Sequence, residues 1–172
     1  MKRHVLLVGL PGAGKTTVGS LVANDLAADF VDLDELIERE QGTTVREIFS
    51  LRGEAAFRAL EREAAQKVMK GNPVVLAPGG GWAAQPGAIE TAVPSCLIIY
   101  LRTKPEEAAR RVTGTVVRPL LANTDPVDRL RELLGAREEF YQRAEVGVDT
   151  DDRGPEEVAR EVVKLARSRA GW

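Results

Sequence analysis

The sequence predicts an α/β fold in which a five-stranded parallel sheet lies between two layers of helices, a three-layer α/β/α arrangement. Two observations support this prediction. Short, almost wholly apolar runs alternate with amphipathic stretches along the 172 residues, and such runs are typical of strands covered on both faces. The first apolar run also leads directly into a glycine-rich loop and then a helical pattern. This alternation predicts right-handed crossover connections.

The individual elements follow from these runs. Strands are predicted at His4 to Val8, Phe30 to Asp32, Val74 to Ala77, Cys96 to Leu101 and Val146 to Asp149. Stretches with helical spacing of apolar side chains predict helices at Lys15 to Ala27, Asp34 to Glu40, Thr44 to Ser50, Glu54 to Lys70, Pro105 to Val112, Asp128 to Tyr141 and Pro155 to Ser168. Thr44 and Glu47 form a capping-box pattern, and Gly42 and Gly53 stand where helices would end.

The composition describes one globular domain over residues 1–172. Lys and Arg number 24 against 26 Asp and Glu, a net charge of −2, so we expect no nucleic-acid partner. A lone Cys96 forms no internal disulfide. No apolar run approaches the ~18 to 20 residues that cross a bilayer, and glycine and proline follow the first run too early for a signal peptide. We therefore expect a cytoplasmic protein with no membrane association.

The most specific motif is the run from Gly9 to Thr16, G-L-P-G-A-G-K-T, which matches G-x-x-x-x-G-K-[ST] between a strand and a helix. Its glycines let backbone N–H groups face one concavity, and the helix adds the positive end of its dipole. We expect Lys15 to contact the β- and γ-phosphates and the Thr16 hydroxyl to bind Mg²⁺. A dinucleotide-binding site is disfavoured, because Thr17 stands where its G-x-G-x-x-G motif has the third glycine. A GTPase is disfavoured because N-T-D at 123–125 lacks the lysine of a guanine-reading run.

Two aspartates mark the end of the second strand. Asp32 and Asp34 lie where open α/β sheets bind their ligands, and strand alternation predicts both side chains on the same face. One carboxylate could hold Mg²⁺ through water while the other accepts the proton of an acceptor hydroxyl. The alternative is that Asp34 only caps the following helix.

Two further patterns, a pair of opposite charges and a run of glycines, follow the aspartates along the chain. Arg58 and Glu61 are three residues apart on a predicted helix and can meet as neighbours, although solvated pairs, including Glu54 with Arg58, are the ordinary explanation. Three consecutive glycines, Gly79 to Gly81, favour close backbone approach to a small ligand, with a flexible loop as the alternative.

Residues 113–126 are rich in turn formers and contain Arg118. Such a segment could close over bound phosphates and exclude water, and Arg118 would then supply positive charge to the transferred group. An ordinary surface loop is the alternative. Taken singly, Arg110, Arg111 and Arg137 are expected to be solvated helix charges. We expect the last residue, W at 172, to be frayed.

The combined motifs resemble those of the shikimate kinase family. The run at 32–61 is similar to that family's paired aspartates, I-E-x-x-x-G turn, I-F pair and G-E-x-x-F-R-x-x-E helix. The phosphate-binding loop, the triple glycine, R-P-L-L at 118–121 and the arginine of G-A-R at 135–137 follow the family order. The resemblance covers essentially the whole chain. Single motifs are shared with other small kinases, but their combination is specific to this family.

The resemblance implies a P-loop kinase fold with strand order 2-3-1-4-5, a mobile lid at about 113–126 and a shikimate-binding segment at about 33–61. It implies a monomer that transfers the γ-phosphate of ATP to the 3-hydroxyl of shikimate, in aromatic amino-acid biosynthesis. The implied cofactor is Mg²⁺, bound by Thr16 and Asp32. Lys15, Asp34 and Arg118 are the implied catalytic residues.

The resemblance also implies two sets of binding residues. The ATP-binding set is Gly12, Ala13, Gly14, Lys15, Thr16, Thr17, Arg110, Arg118, Arg153 and Pro155, in which Arg110 and Pro155 bracket the adenine. The shikimate-binding set is Asp34, Phe49, Phe57, Arg58, Glu61, Gly79, Gly80, Gly81 and Arg137. In this set Arg58 and Arg137 hold the carboxylate, and Glu61 orients Arg58.

The sequence departs from the family pattern at two positions. Leu33 separates the aspartates where a small hydroxyl residue is usual, which is harmless if its side chain points away from the site. Trp82 follows the glycines where a smaller residue is expected, and it would narrow the acceptor pocket, shift specificity or pack beneath the loop. Two other functions stay open at this point: a kinase of another small hydroxy acid such as gluconate, and a catalytically silent nucleotide-binding regulatory module.

Overall fold

The computed structural model describes residues 1–112 and 125–172. The predicted lid therefore lies almost wholly outside the described residues, as does Arg118. The strands are β1 (His4–Val8), β2 (Phe30–Asp32), β3 (Val75–Ala77), β4 (Cys96–Arg102) and β5 (Val146–Asp149). All five strands predicted from the sequence are present, and no boundary differs by more than one residue.

The described helices also follow the sequence prediction, with one addition. They are α1 (Lys15–Leu26), α2 (Leu33–Gln41), α3 (Val45–Arg52), α4 (Glu54–Met69), α5 (Ala88–Ala92), α6 (Pro105–Val112), α7 (Pro126–Tyr141) and α8 (Pro155–Arg169). Helix α5 was not predicted because its 5 residues are too few to show a helical period. In the described parts of the chain, no helix combines the length and the apolar composition needed to cross a bilayer.

The five strands form one parallel sheet in the order β2-β3-β1-β4-β5, which confirms the order implied by the family resemblance. Strand β1 lies at the centre and pairs in parallel with β3 and β4. Because parallel strands end at the same edge of a sheet, the loops after β1, β2 and β3 meet there. These loops carry the phosphate-binding motif, the paired aspartates and the three glycines.

Helices cover both faces of the sheet, and each face has its own apolar core. Val5 and Leu7 of β1 pack with α1 and α8, whereas Leu6 and Val8 pack with the helices of the other layer, α2 to α7. The strand is buried on both faces because its side chains alternate between the two cores. This confirms the three-layer arrangement.

The side chain of Trp172 joins the two ends of the chain. The prediction that this residue is frayed is therefore wrong. Its indole N–H donates to the backbone oxygen of Arg3 at 2.9 Å, and the ammonium group of Lys2 lies 4.6 Å from its ring centroid. The ring also packs against the core formed by α1 and α8. The position in the sequence carried no sign of these long-range contacts.

Replacing Trp172 with Ala removes this hydrogen bond, the cation–π contact and the ring packing. We expect the free energy of unfolding to fall by about 1–2 kcal/mol, with turnover at 25 °C unchanged because the residue lies far from the loops at the strand ends. Chemical denaturation measures the change. An unaltered unfolding midpoint would mean that the indole contributes nothing to stability and that the end of the chain is frayed.

Candidate active site

The loop between β1 and α1 surrounds the ammonium group of Lys15. Its Nζ donates to the backbone oxygens of Gly9 at 2.7 Å and Leu10 at 2.9 Å. Gly12 and Gly14 have φ values of 86° and 94°, in the left-handed region that favours glycine. Gly14 is also the N-cap residue of α1. Since it has no capping side chain, the first amides of the helix stay available to an anion.

The phosphate-binding loop lies directly against α6. A Cβ at Gly12 would be 2.5 Å from the backbone oxygen of Ala108, so only glycine allows this approach. From the same helix, Arg111 reaches over the loop and donates to the backbone oxygens of Gly12 at 3.4 Å and Ala13 at 3.3 Å. It also donates to the backbone oxygen of Thr150 at 2.9 Å. Arg111 thus connects the loop to the segment after β5.

Asp32 and Asp34 occupy different structural positions. Asp32 is the N-cap of α2: its Oδ1 accepts from the backbone N–H of Glu35 at 3.1 Å, and its Oδ2 accepts from the Thr16 hydroxyl at 2.8 Å. Asp34 lies in the first turn of α2 and lines the cavity. The strand-alternation argument is wrong, because the strand ends at Asp32. The alternative that Asp34 caps the helix is also wrong, because Asp32 occupies the capping position.

Thr16 and Asp32 present the hydroxyl and carboxylate oxygens that Mg²⁺ prefers. Within residues 1–112 and 125–172, no cluster of three His, Cys, Asp or Glu side chains is placed to hold a metal ion. Two protein oxygens beside a phosphate-binding loop fit Mg²⁺, which keeps several waters and shares phosphate oxygens. The donor set therefore fits this ion.

Arg58 and Glu61 form a buried ion pair on α4. Arg58 Nη1 lies 2.9 Å from Glu61 Oε1, and the two side chains are 11% and 0% exposed. The explanation as a solvated pair is wrong for these two residues, although Glu54, 3.5 Å from Arg58, is exposed. Burial raises the pKa of Glu61 to about 7, the Arg58 guanidinium opposes this rise, and the carboxylate of Asp34 adds to it.

The glycines after β3 bring backbone into contact with these charged groups. A Cβ at Gly79 would lie 2.9 Å from Glu61 Oε2 and 3.3 Å from Asp34 Oδ1. A Cβ at Gly81 would lie 2.8 Å from the Cζ of Arg58. A side chain at either position would push a charged group aside. The close backbone approach predicted for this run is therefore present, and it is made to the charged side chains of the site.

Arg137 on α7 faces the same loop. The whole residue is only 8% exposed, so the prediction of a solvated helix charge is wrong. A Cβ at Gly80 would lie 3.1 Å from its Nη1. Among the described residues, Arg137 Nη1 and Arg58 Nε have no hydrogen-bond acceptor. Buried guanidinium N–H groups without acceptors are costly, so this corner is suited to an anion.

Two aromatic rings form an apolar wall near these charges. The centroids of Phe49 and Phe57 are 4.8 Å apart, and the Arg58 guanidinium lies 5.4 Å from the Phe57 ring centroid. Leu33 is buried in the core below and points away from the cavity. Trp82 is also a core residue, 3% exposed, and does not line the cavity. It packs beneath the glycine loop and does not narrow the site.

Most of these groups border one cavity with a volume of about 980 Å³, although Asp32, Leu33 and Trp82 do not line it. The predicted residues that line it are Gly12, Ala13, Gly14, Lys15, Thr16, Thr17, Asp34, Phe49, Phe57, Arg58, Glu61, Gly79, Gly80, Gly81, Arg137, Arg153 and Pro155. Phosphate-binding groups and the buried acidic and basic groups therefore face one space. Such a cavity can hold a triphosphate and a small anion side by side.

The prediction of Arg110 at the adenine is not supported by its position. Its guanidinium is 72% exposed, pairs with Glu107 Oε1 at 2.5 Å, and does not line the cavity. The next residue, Arg111, does line it. One step along a helix rotates a side chain by about 100°, so Arg111 and not Arg110 faces the cavity, while contact of Arg110 with the adenine stays a prediction.

Other lining residues were missed by sequence reasoning. Glu38 accepts a hydrogen bond from the backbone N–H of Val45 at 3.0 Å and so joins α2 to α3. Its place in the I-E-x-x-x-G run was a usable signal. Arg46 and Thr150 also line the cavity, but an arginine at the exposed start of a helix and a threonine after a strand have no distinctive spacing.

Comparisons with known proteins agree with this geometry. The family model described as shikimate kinase matches residues 11–167. A curated shikimate kinase from Caldanaerobacter subterraneus subsp. tengcongensis is 43% identical over 162 residues, covering 94% of this chain and 95% of that protein. The solved shikimate kinase from Acinetobacter baumannii in complex with shikimate has a TM-score of 0.92 at 34% identity, covering 98% and 94% of the two chains. A gluconokinase from Sinorhizobium meliloti, 17% identical with a TM-score of 0.64 and coverage of 98% and 94%, shares the fold alone.

The raised pKa of Glu61 predicts a pH-dependent stability difference between the protein and Glu61→Gln. Unfolding lowers the pKa from about 7 to its ordinary value of 4.5. Between these values the folded state keeps a proton that the unfolded state has released, so the contribution of Glu61 to stability is lost as pH rises through 7. From pH 4.5 to pH 8 the variant should gain about 2–3 kcal/mol relative to the wild type.

Urea denaturation of both proteins across this range measures the difference. Glu63→Gln, which changes an exposed carboxylate on the same helix, is the matched control. A stability difference between wild type and Glu61→Gln that stays constant from pH 4.5 to pH 8 would contradict the assignment of Glu61 as the buried group that binds a proton near neutrality.

Proposed function

The chain belongs to the shikimate kinase family and is an ATP-dependent kinase, and from this premise we propose that its cavity transfers the γ-phosphoryl group of ATP to the 3-hydroxyl of shikimate. One observation supports this most strongly. The phosphate-binding loop shares a cavity with Asp34 and two buried arginines, Arg58 and Arg137. The arginines match the charge of the carboxylate of a small cyclic acid, and the aspartate can accept a hydrogen bond from one of its hydroxyls.

Arg58 and Arg137 hold the carboxylate of the acceptor. Both guanidinium groups are buried, and each has an N–H without an acceptor in the described structure, which a carboxylate would satisfy. Glu61 holds Nη1 of Arg58 and so fixes the direction in which the remaining N–H groups point. The residues at 33–61, which comprise α2, α3 and the start of α4, form the acceptor-binding segment.

Asp34 orients the acceptor hydroxyl and receives its proton. The hydroxyl oxygen attacks the γ-phosphorus, the bond from that phosphorus to the β-bridging oxygen breaks, and ADP leaves with the bond electrons. The proton of the hydroxyl moves to the carboxylate of Asp34. Asp34 suits this role because it lines the cavity beside Gly79, while Asp32 is occupied with the helix cap and Thr16.

The loop residues bind the donor. Backbone N–H groups at 12–17 surround the phosphates, and Lys15 neutralises charge that develops on the transferred group. Thr16 and Asp32 would hold Mg²⁺, which would offset the negative charge of the phosphates. Arg153 and Pro155 also line the cavity, and we assign them to the binding of the adenine. The role of Arg118 in closing a lid stays a prediction, as do the monomeric state and the cytoplasmic location.

The alternative functions fit the site less well. A regulatory module would have no need of Lys15, Thr16 and Asp34 in one cavity. A kinase of gluconate would accept a flexible chain, whereas the two rings at 49 and 57 form a wall suited to the flat face of a cyclic acid. A site built for specific hydroxyls also rejects analogues that leave its polar groups unpaired.

A coupled assay of ADP release tests the proposed substrate. We expect turnover with ATP, Mg²⁺ and shikimate, and less than about 1% of that rate with gluconate, since unpaired buried polar groups cost several powers of ten in selectivity. Mass spectrometry of the product checks that one phosphoryl group is attached. Turnover of gluconate without turnover of shikimate would overturn the proposal.

Asp34→Asn tests the proposed base. We expect kcat to fall at least about 100-fold, the range for loss of a general base, with the melting temperature little changed because Asp32 keeps the helix cap. Glu40→Gln, a carboxylate later on the same helix that pairs with Lys67, is the matched control. Near-normal turnover with a lowered melting temperature would assign Asp34 a structural role.

A further inference from the structure

Tyr141 is a buried polar residue to which the mechanism above gives no role. It lies on α7 one helical turn after Arg137 and is 0% exposed. Its hydroxyl donates to the backbone oxygen of Gly80 at 2.6 Å. Its ring packs against Tyr100 of β4 with centroids 5.2 Å apart. One side chain therefore ties the glycine loop to both a helix and the sheet.

Gly80 lies close to both Arg137, in the acceptor half of the cavity, and the phosphate-binding loop, in the donor half. A Cβ at Gly80 would lie 3.1 Å from Nη1 of Arg137, 3.1 Å from Cδ of Pro11 and 3.3 Å from the backbone oxygen of Gly9. The backbone at this residue therefore acts as a spacer between a guanidinium and the phosphate-binding loop. Movement of Gly80 would change the distance between them.

The hydroxyl of Tyr141 and the guanidinium of Arg137 belong to one rigid unit. Residues four apart lie on the same face of a helix, so α7 presents both groups to the glycine loop at once. Burial raises the pKa of Tyr141, so the hydroxyl keeps its proton and remains a donor. The guanidinium of Arg137 is near enough to oppose that rise.

We propose that Tyr141 is a positioning residue, which holds the carbonyl of Gly80 so that Arg137 and the phosphate-binding loop keep the separation required for phosphoryl transfer. The inference rests on the proposed function, since it assigns Tyr141 an effect on the acceptor through Arg137. Misplacement of reacting groups by about 1 Å can cost up to about 100-fold in rate. Loss of the hydrogen bond between Tyr141 and Gly80 should therefore lower the rate of phosphoryl transfer as well as the stability of the fold.

Tyr141→Phe removes only the hydroxyl. The KM for shikimate should rise about tenfold and kcat should fall several-fold. The reason is that the carbonyl of Gly80 loses its hydrogen bond, so the position of Arg137 relative to the glycine loop is no longer fixed. The KM for ATP should stay within about twofold, since the loop at 9–16 keeps its own contacts. Tyr100→Phe removes a hydroxyl from the other ring of the same aromatic pair and leaves the Gly80 bond intact. This control should match the wild type, and equal effects from both variants would overturn the proposal.

A double-mutant cycle with Arg137→Ala separates positioning from general stability. If Tyr141 acts through Arg137, then Tyr141→Phe should change kcat/KM for shikimate less than about twofold once Arg137 is absent. Effects that multiply in the double variant would show independent roles and would overturn the proposal. Arg137→Ala with an unchanged KM for shikimate would refute the proposed carboxylate site itself. A raised KM in Arg137→Ala with normal kinetics in Tyr141→Phe would refute the positioning role alone.

Two unnatural residues cover the case in which Tyr141→Phe does not fold. Tyr141→4-aminophenylalanine keeps an N–H donor toward Gly80, and Tyr141→4-methylphenylalanine keeps the volume without a donor. Calorimetry should show near wild-type affinity for shikimate with the first and about tenfold weaker affinity with the second, one hydrogen bond being worth about that factor. Equal affinities for the two variants would overturn the proposal.

Discussion

The active site depends on three consecutive residues that have no side chain. Gly79 lies against two carboxylates, Gly80 lies close to both Arg137 and the phosphate-binding loop, and Gly81 lies against the Arg58 guanidinium. Three glycines in a row lose much conformational entropy on folding. Because these residues have no side chain, α2, α4, α7 and the loop after β1 all lie within contact distance of one short piece of backbone. The sheet makes this possible because the loops after β1, β2 and β3 leave it at the same edge.

The charges gathered around this backbone make the site suited to an anion. Two arginines and two carboxylates surround the glycine loop, and Glu61 has a pKa of about 7. Near neutral pH that carboxyl is partly protonated, so the guanidinium groups of Arg58 and Arg137 are in excess. A buried and incompletely paired positive charge is unfavourable for folding, but an arriving carboxylate gains the interactions that the protein lacks. Substrate binding and stability are therefore opposed in this part of the molecule, as is expected where a site is preorganised.

Much of the fold and part of the site follow from local sequence rules. Apolar runs indicated the strands, and the spacing of G-x-x-x-x-G-K-T was enough to place Lys15 in its loop, because the motif depends on consecutive residues. Assignments that depend on helix phase or on distant partners were less secure. Arg110 and Arg111 differ by about 100° on α6, and only the packed helix shows which one faces the cavity. The bond between Asp32 and Thr16 and the anchor at Tyr141 each depend on a distant partner that no local pattern specifies.

A crystal structure of the chain with shikimate and a non-hydrolysable ATP analogue would test the central claim most directly. We expect the carboxylate of the acid between Arg58 and Arg137, a ring hydroxyl on Asp34, and the terminal phosphate in the loop around Lys15. We also expect that the backbone of Gly79 to Gly81 stays in its present contacts. An acid bound elsewhere, with both arginines still lacking acceptors, would contradict this claim.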